Sequence, residues 1–203
     1  MKTIILASNN KHKLEEVRRI MNDYKVLSLE DIGFTEEIIE NGKTFKDNAL
    51  IKAKTVMKYM LEKTDLNYAI VAEDSGLCVR AINFEPGVYS ARYSGKGDEG
   101  NRQKLLEKLL TIQDRTAYFI CSAVVMFPTG HYFTEEGKTF GQITKTKIGD
   151  ESFGYDCIFW SDKLRKTFGQ ATQEEKDSVS HRGMAFKNIK ERLDSDDYMS
   201  DEE

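Results

Sequence analysis

The sequence predicts an α/β fold that includes an antiparallel portion. Apolar, β-branched runs that suit buried strands, residues 2–7 and 68–72, alternate with segments in which apolar residues recur at helical spacing. Two long strand-like segments, around 116–127 and 131–146, are joined by Pro-Thr-Gly at 128–130, which is typical of a hairpin. The alternation of strands and helices indicates an α/β architecture, and the hairpin adds antiparallel pairing.

Helices are predicted after the first strand, from about Thr44, over about 99–110, and at the C-terminal end. The first helix places Leu14, Val17, Ile20 and Met21 on one face, and one C-terminal helix begins with a capping box at Thr172. The second helix carries an apolar stripe formed by Phe45, Ala49, Ala53, Val56, Met57 and Met60. A loop at 149–157 and a short strand at 157–160 precede the last helices.

Length and charge predict one domain with a short tail. The 203 residues suit a single domain over 1–193, of ordinary globular composition with 39% hydrophobic and 32% charged residues. Residues 194–203 contain six acidic residues and no basic one, which predicts a solvated, disordered tail. The whole chain carries −4, so the rest of it is slightly basic, which suits a local pocket for a small anion better than a nucleic-acid surface.

The cysteine pattern and the N-terminus predict a cytoplasmic protein that binds no membrane. Cys78, Cys121 and Cys157 are widely spaced and form no CxxC pair, so free buried thiols are expected rather than disulfides or a zinc site. The N-terminal apolar run is too short for a signal peptide. No apolar stretch approaches the roughly 20 residues that span a bilayer.

The turn between the first strand and the first helix is a candidate phosphate-binding loop. A helix N-terminus there presents backbone N–H groups and its positive end to an anion, and lysines add charge. Helix capping by serine or asparagine explains the same residues equally simply. The candidates are Ser8, Asn9, Asn10, Lys11, His12 and Lys13.

Carboxylates follow the strand at 68–72 and fill the loop before the second helix. Glu73 and Asp74 fall where ligands of α/β sheets gather, and a hard cation needs carboxylate oxygens. Adjacent acids on a strand point in opposite directions, so only one faces a given site. The acidic loop 36–42 offers a second carboxylate for Mg²⁺. A surface turn and a solvated acidic loop remain the alternatives.

Two further segments have the composition of a base-binding site. Aromatic residues in the glycine-containing loop Phe153-Gly154-Tyr155-Asp156 suit stacking on a purine, or else anchoring of the loop to the core. Lys176 and Ser180-His181-Arg182 supply hydrogen-bond donors for a carbonyl or a phosphate, or else form a cap and a basic turn. Ser180 beside His181 does not indicate a nucleophilic triad.

Taken together and in this order, these segments resemble the inosine/xanthosine triphosphate pyrophosphatase family, from the first strand to about residue 192. The matching words are SNNKHKLEEV at 8–17, ENGKTFKDNALIKA at 40–53, AEDSGLCV at 72–79, PGVYSARYSG at 86–95, FGYD at 153–156 and EEKDSVSHRGMA at 174–185. Cys157 departs from the proline that commonly follows FGYD in this family. The acidic tail lies outside the family core.

The resemblance implies an elongated central mixed sheet flanked by helices, two lobes with a nucleotide cleft between them, and a homodimer. It implies Mg²⁺-dependent hydrolysis of a purine nucleoside triphosphate such as ITP, dITP or XTP to the monophosphate and pyrophosphate. The implied alternatives are a nucleotide-binding regulator that has lost catalysis and a pyrophosphatase of other modified nucleotides.

The resemblance also assigns roles to residues. The loop 8–13 holds the triphosphate, while Asp74 binds metal and accepts the proton of the attacking water. Ser75 touches substrate, and Glu40, with Glu37 as competitor, supplies a second metal ligand. The base and sugar are surrounded by Phe153, Gly154, Tyr155, Asp156, Lys176, His181 and Arg182.

Overall fold

The computed structural model describes residues 2–63 and 68–195. Within them, the strands are β1 (Thr3–Leu6), β2 (Lys25–Leu27), β3 (Ala69–Val79), β4 (Thr116–Met126), β5 (Tyr132–Ile143), β6 (Phe159–Ser161) and β7 (Lys166–Thr167). The α-helices in this part of the chain are α1 (Lys11–Ile20), α2 (Phe45–Leu61), α3 (Gly97–Lys108), α4 (Gln173–Val179) and α5 (His181–Ser195).

The strands form one mixed sheet in the order β2-β1-β3-β4-β5-β6-β7. Both β2 and β3 pair with β1 in parallel, whereas β6 pairs antiparallel with β5 and with β7. The predicted hairpin is confirmed, because the Gly130 N–H donates to the Phe127 carbonyl at 2.9 Å and Gly130 has a φ of 88°. The predicted α/β class with an antiparallel portion is therefore confirmed.

The chain forms two compact units, the first from Met1–Asp74, Cys121–Glu136 and Arg182–Glu203 and the second from Ser75–Ile120 and Gly137–His181. In the first unit, alternate residues of β3 face opposite apolar clusters. Val71 packs in the cluster that contains residues of α1 and α5, and Ile70 packs in the cluster that contains residues of α2. The second unit has its own core, which includes Leu77, Leu105, Phe119, Phe159 and Phe168.

The sequence interpretation was wrong about where β3 ends. A strand over 68–72 that ends at the segment 73–76 was expected, but β3 continues to Val79 and contains both Glu73 and Asp74. Acids and glycine are unfavourable in strands, which explains the expectation. Here the carboxylates are accommodated by charged and amide partners from neighbouring helices, so local propensity is overridden.

The first two residues of the predicted tail belong to a helix. Asp194 and Ser195 belong to α5, whose end is held by a hydrogen bond from the Tyr24 hydroxyl to Asp194 at 2.6 Å. The remainder of the predicted tail, 196–203, lies outside the described residues. Across the described ranges, every helix is too short or too polar to cross a bilayer.

Candidate active site

The loop between β1 and α1 is organised by its own polar side chains. Asn10 caps α1 by accepting a hydrogen bond from the Lys13 N–H at 3.2 Å, and Ser8 accepts one from the Asn10 N–H at 3.1 Å. Lys11 and His12 are exposed on the first turn. The capping expected from sequence is confirmed, and Lys11 and His12 lie exposed at the positive end of the helix. This arrangement suits an anionic ligand.

Lys13 extends from α1 to a buried carboxylate on β3. Its ammonium lies 2.8 Å from Glu73, whose side chain is 1% exposed. Arg182 donates to the same Glu73 oxygen at 3.1 Å and to Glu16, so one guanidinium joins two buried carboxylates. Burial alone would raise the pKa of Glu73, but the attraction of Arg182 and Lys13 outweighs it and holds that pKa well below its usual range. Glu73 is therefore a fixed anion that orients Lys13.

Asp74 points away from that network, as alternation along a strand requires. Its carboxylate accepts a hydrogen bond from the Asn48 side-chain amide on α2 at 2.9 Å, and the residue is 8% exposed. Burial raises the pKa of Asp74, although the charge of Lys52 and the bond from Asn48 oppose the shift. A carboxylate with a raised pKa is a better proton acceptor than an ordinary aspartate.

The acidic loop contributes one carboxylate to this group. Glu40 accepts from the Lys52 ammonium at 2.9 Å, whereas its competitor Glu37 is exposed. The loop is held to α2 because the Gly42 N–H donates to the Asn48 side chain at 2.8 Å. A Cβ at position 42 would lie 2.7 Å from that Asn48 oxygen, so glycine permits the close approach. Asn48 thus connects the loop and Asp74.

Sequence reasoning missed Asn48 and Lys52. Both lie inside the ENGKTFKDNALIKA word, but neither was assigned a role. Asn48 is 1% exposed and Lys52 is 7% exposed, one helical turn apart on α2. Two polar residues spaced i, i+4 beside the apolar positions Ala49 and Ala53 were the available signal, since buried polar groups need specific partners.

In the second unit, several side-chain contacts hold the loop at 153–156. Lys176 pairs with Asp156 at 2.5 Å, and its ammonium lies over the ring of Phe153 at 4.9 Å from the centroid. The Tyr155 hydroxyl donates to the Ser90 carbonyl at 2.8 Å, and this residue is 4% exposed. Tyr155 therefore anchors the loop, as the structural alternative expected. Phe153 is only half-buried, so part of its ring is accessible.

His181 and Ser75 also fall in the second unit. The His181 ring stacks on Phe119 at 4.8 Å with an interplanar angle of 12°. Phe119 stacks in turn on Phe168, whose ring lies 5.7 Å from the Lys176 ammonium. Ser75 is half-buried. His181, Lys176 and Phe153 are therefore joined by a continuous set of aromatic contacts, whereas Arg182 is bound to carboxylates of the first unit.

The carboxylates of the first unit fit the Mg²⁺ that the resemblance implies. Among residues 2–63 and 68–195, no three histidine, cysteine or acidic side chains converge as a metal-binding group. Mg²⁺, however, is usually held by one or two carboxylates together with substrate phosphates and water. Glu40 accepts a hydrogen bond from Lys52, and Asp74 is subject to the charge of the same lysine, so both carboxylates interact with one ammonium group. Asp74 and Glu40 are thus suitable metal ligands, whereas Glu73 is already paired with Lys13 and Arg182.

The raised pKa of Asp74 makes a prediction for the metal-free protein. Its folded-state pKa exceeds its unfolded value, so its contribution to stability is present at low pH and is lost as pH rises through the folded pKa. Asparagine does not titrate, so the Asp74→Asn variant does not lose stability in this way as pH rises. Urea unfolding in EDTA is expected to show the variant gaining stability relative to wild type as pH rises above about 4, the ordinary pKa of an aspartate. A pH-independent difference would contradict the assignment.

The fold and its charged groups define a mixed α/β protein with a buried carboxylate–lysine site suited to anions. The chain belongs to the Ham1 family, whose model matches residues 4–192. A protein of Clostridium perfringens named dITP/XTP pyrophosphatase is 42% identical over 199 residues, spanning 95% of this chain and 98% of the relative.

Solved structures give the same assignment. The Staphylococcus aureus Ham1 protein superposes with a TM-score of 0.83 at 38% identity, covering 96% of this chain and all of that one. A structure titled nucleoside-triphosphatase / dITP/XTP pyrophosphatase, from Mycobacterium abscessus, is 40% identical with a TM-score of 0.72 and covers 92% of this chain and 98% of that one. The family resemblance and the fold class expected from sequence are confirmed.

Proposed function

We propose that this protein hydrolyses inosine- and xanthosine-type nucleoside triphosphates (ITP, dITP and XTP) to the monophosphate and pyrophosphate, and so removes them from the nucleotide pool. The proposal rests mainly on Asp74. Its buried carboxylate accepts a hydrogen bond from Asn48 and is subject to the positive charge of Lys52. Full-length relatives at 38–42% identity that are named dITP/XTP pyrophosphatase support the substrate class.

In this proposal the first unit binds the triphosphate. Phosphoryl transfer depends mainly on positioning and on neutralising charge. The exposed N-terminal turn of α1 donates backbone N–H groups to phosphate oxygens, and Ser8, Asn9, Asn10, Lys11 and His12 line it. Lys13 and Lys52 add positive charge, each oriented by a carboxylate, Glu73 and Glu40 respectively.

Asp74 accepts the proton of the attacking water. An ordinary aspartate, with a pKa near 3.9, is a weak base at neutral pH. Burial raises the pKa of Asp74, the charge of Lys52 opposes this rise, and the Asn48 amide fixes the orientation of the carboxylate.

Mg²⁺ is proposed as the cofactor, with Asp74 and Glu40 as the protein ligands that would hold it. When bound, it neutralises phosphate charge and acidifies water. Lys52 pairs with Glu40 at 2.9 Å, and its positive charge also acts on Asp74. Glu73 is not proposed as a ligand, because Arg182 and Lys13 both bind its Oε1 and already neutralise its charge.

The second unit binds the base and sugar. The accessible part of Phe153 stacks on the purine, and Lys176 and His181 donate to the 6-oxo oxygen, with Gly154, Tyr155 and Asp156 shaping the loop. Ser75 contacts substrate. An adenine amino group would leave those donors without an acceptor, and such mismatches discriminate strongly. Arg182 acts through Glu73 rather than by direct contact with the base.

A panel of nucleotides tests the substrate class. With Mg²⁺ present, kcat/KM for ITP and XTP is expected to exceed that for ATP by about a hundredfold or more, because ATP lacks the 6-oxo acceptor. Products are scored as monophosphate and pyrophosphate. Turnover of UTP or dTTP at an equal or faster rate would refute the 6-oxo purine assignment.

We further propose that the protein acts as a homodimer in the cytoplasm, where free nucleoside triphosphates are available. The proposal does not require nucleic acid or membrane as a partner. The body of the chain outside the acidic tail has little net charge, as a small-molecule enzyme allows.

A further inference from the structure

The loop that carries Phe153 is tied to α3 by a buried arginine. Arg102 is 4% exposed, and its guanidinium donates to the Gly154 carbonyl at 2.7 Å and to the Glu151 carbonyl at 3.2 Å. The opposite edge of the guanidinium donates to Glu99 at 2.9 Å and 3.2 Å. One planar side chain therefore connects a helix to two backbone carbonyls of the loop.

A second contact fixes the same glycine from its other side. The Gly154 N–H donates to the Asp98 carboxylate at 2.7 Å, so α3 holds both the donor and the acceptor of this residue. Gly154 has a φ of 51°, a conformation that glycine adopts without strain. Lys147 extends the group by pairing with Glu99 at 3.2 Å and with Glu151 at 2.7 Å.

Burial makes these contacts energetically consequential. A guanidinium removed from water is stabilised only when its donors are paired, and its forked geometry suits several acceptors at once. Tyr155 and Lys176 hold the loop through its side chains, and Arg102 adds two hydrogen bonds to its backbone carbonyls. The hydrogen bonds of Arg102 and Asp98 thus reach the loop through its backbone.

We propose that Arg102 and Asp98 are positioning residues that hold the 151–156 loop ready for the nucleotide base. The inference rests on the proposed function, because it assigns the base to Phe153. Preformed loops bind more tightly, since less ordering entropy is lost when the ligand arrives. Arg102 and Asp98, together called the clamp, are therefore expected to lower KM and to leave the reaction at Asp74 unchanged.

The test uses Arg102→Leu, Arg102→Lys and Asp98→Ala in the full-length protein. Leucine keeps much of the apolar volume and removes every donor, while lysine keeps the charge without the fork. Asp98 is exposed, so its replacement spares the core. Arg80→Leu is the matched control, because Arg80 forms an exposed ion pair with Asp114 elsewhere in the same unit.

Arg102→Leu is expected to raise KM for ITP about tenfold, with kcat within about twofold of wild type. Asp98→Ala gives a smaller increase in KM, Arg102→Lys recovers part of the loss, and Arg80→Leu changes neither constant. A fall in kcat with unchanged KM, or equal effects of Arg102→Leu and Arg80→Leu, would overturn the proposal.

Hydrogen–deuterium exchange of the nucleotide-free proteins separates this inference from the proposed function. Exchange of backbone amides in 151–156 is expected to accelerate in Arg102→Leu and Asp98→Ala and to stay at the wild-type rate in Arg80→Leu. Unchanged exchange would overturn the clamp even if ITP is hydrolysed. Failure of wild type to hydrolyse ITP would instead refute the proposed function and, with it, the role of the clamp in substrate binding.

Discussion

Replacing Asp74 with asparagine is expected to reduce kcat for ITP about a thousandfold, since general-base catalysis typically contributes factors of this order. The amide is nearly isosteric and still accepts the hydrogen bond from Asn48, but it cannot take a proton from water. It also loses the negative charge that would help to hold a divalent cation. The rate of pyrophosphate release under saturating ITP and Mg²⁺ measures the effect.

Two comparisons make this result specific. Asp23→Asn removes an exposed aspartate that pairs with Lys190 in the same unit, and its kcat should equal that of wild type. Urea unfolding of Asp74→Asn at neutral pH should show no loss of stability, because a buried charge has been removed. A variant that retains a tenth or more of wild-type kcat would exclude Asp74 as the base.

Replacing Arg182 with methionine is expected to destabilise the protein by about 3–5 kcal/mol, because Glu16 and Glu73 would be left as buried, uncompensated carboxylates. Arg182 is 1% exposed and sits between them. Their mutual repulsion and their desolvation both oppose folding once the guanidinium is gone. The midpoint and slope of urea unfolding give the free energy.

The triple variant Arg182→Met, Glu16→Gln, Glu73→Gln tests the cause. Neutralising the carboxylates removes the uncompensated charge, so most of the lost stability should return. Arg80→Met, which breaks an exposed ion pair, should leave the unfolding free energy unchanged. If Arg182→Met alone matched wild type in stability, the buried network would not be the structural element described for the first unit.

Sequence pattern was sufficient for the main elements because their signals are local. The apolar stripe that begins at Phe45 and the turn at 128–130 each depend on residues close in sequence, and both are present in the structure. The short strands β2 and β7 were not predicted. Two or three residues cannot display a period, and such strands form only because a neighbouring strand pairs with them.

In the candidate site, too, some residues could be identified from the sequence and others could not. Asp74 was identified from its place after an apolar strand and from the family words around it. Lys52 and Asn48 were missed because a polar residue on a helix usually faces water, and only tertiary packing turned them toward Asp74 and Glu40. Arg102 was missed for the same reason, since its partners lie 49 and 52 residues further along the chain.

In the proposed reaction, water attacks the α-phosphorus of an oxo-purine triphosphate with help from Asp74. Hydrolysis of ITP by the wild-type protein in ¹⁸O-labelled water tests this attack, with the masses of the separated products measured by mass spectrometry. Inosine monophosphate carrying the label is expected together with unlabelled pyrophosphate. Release of orthophosphate with inosine diphosphate, or tight binding of ITP without turnover, would contradict it.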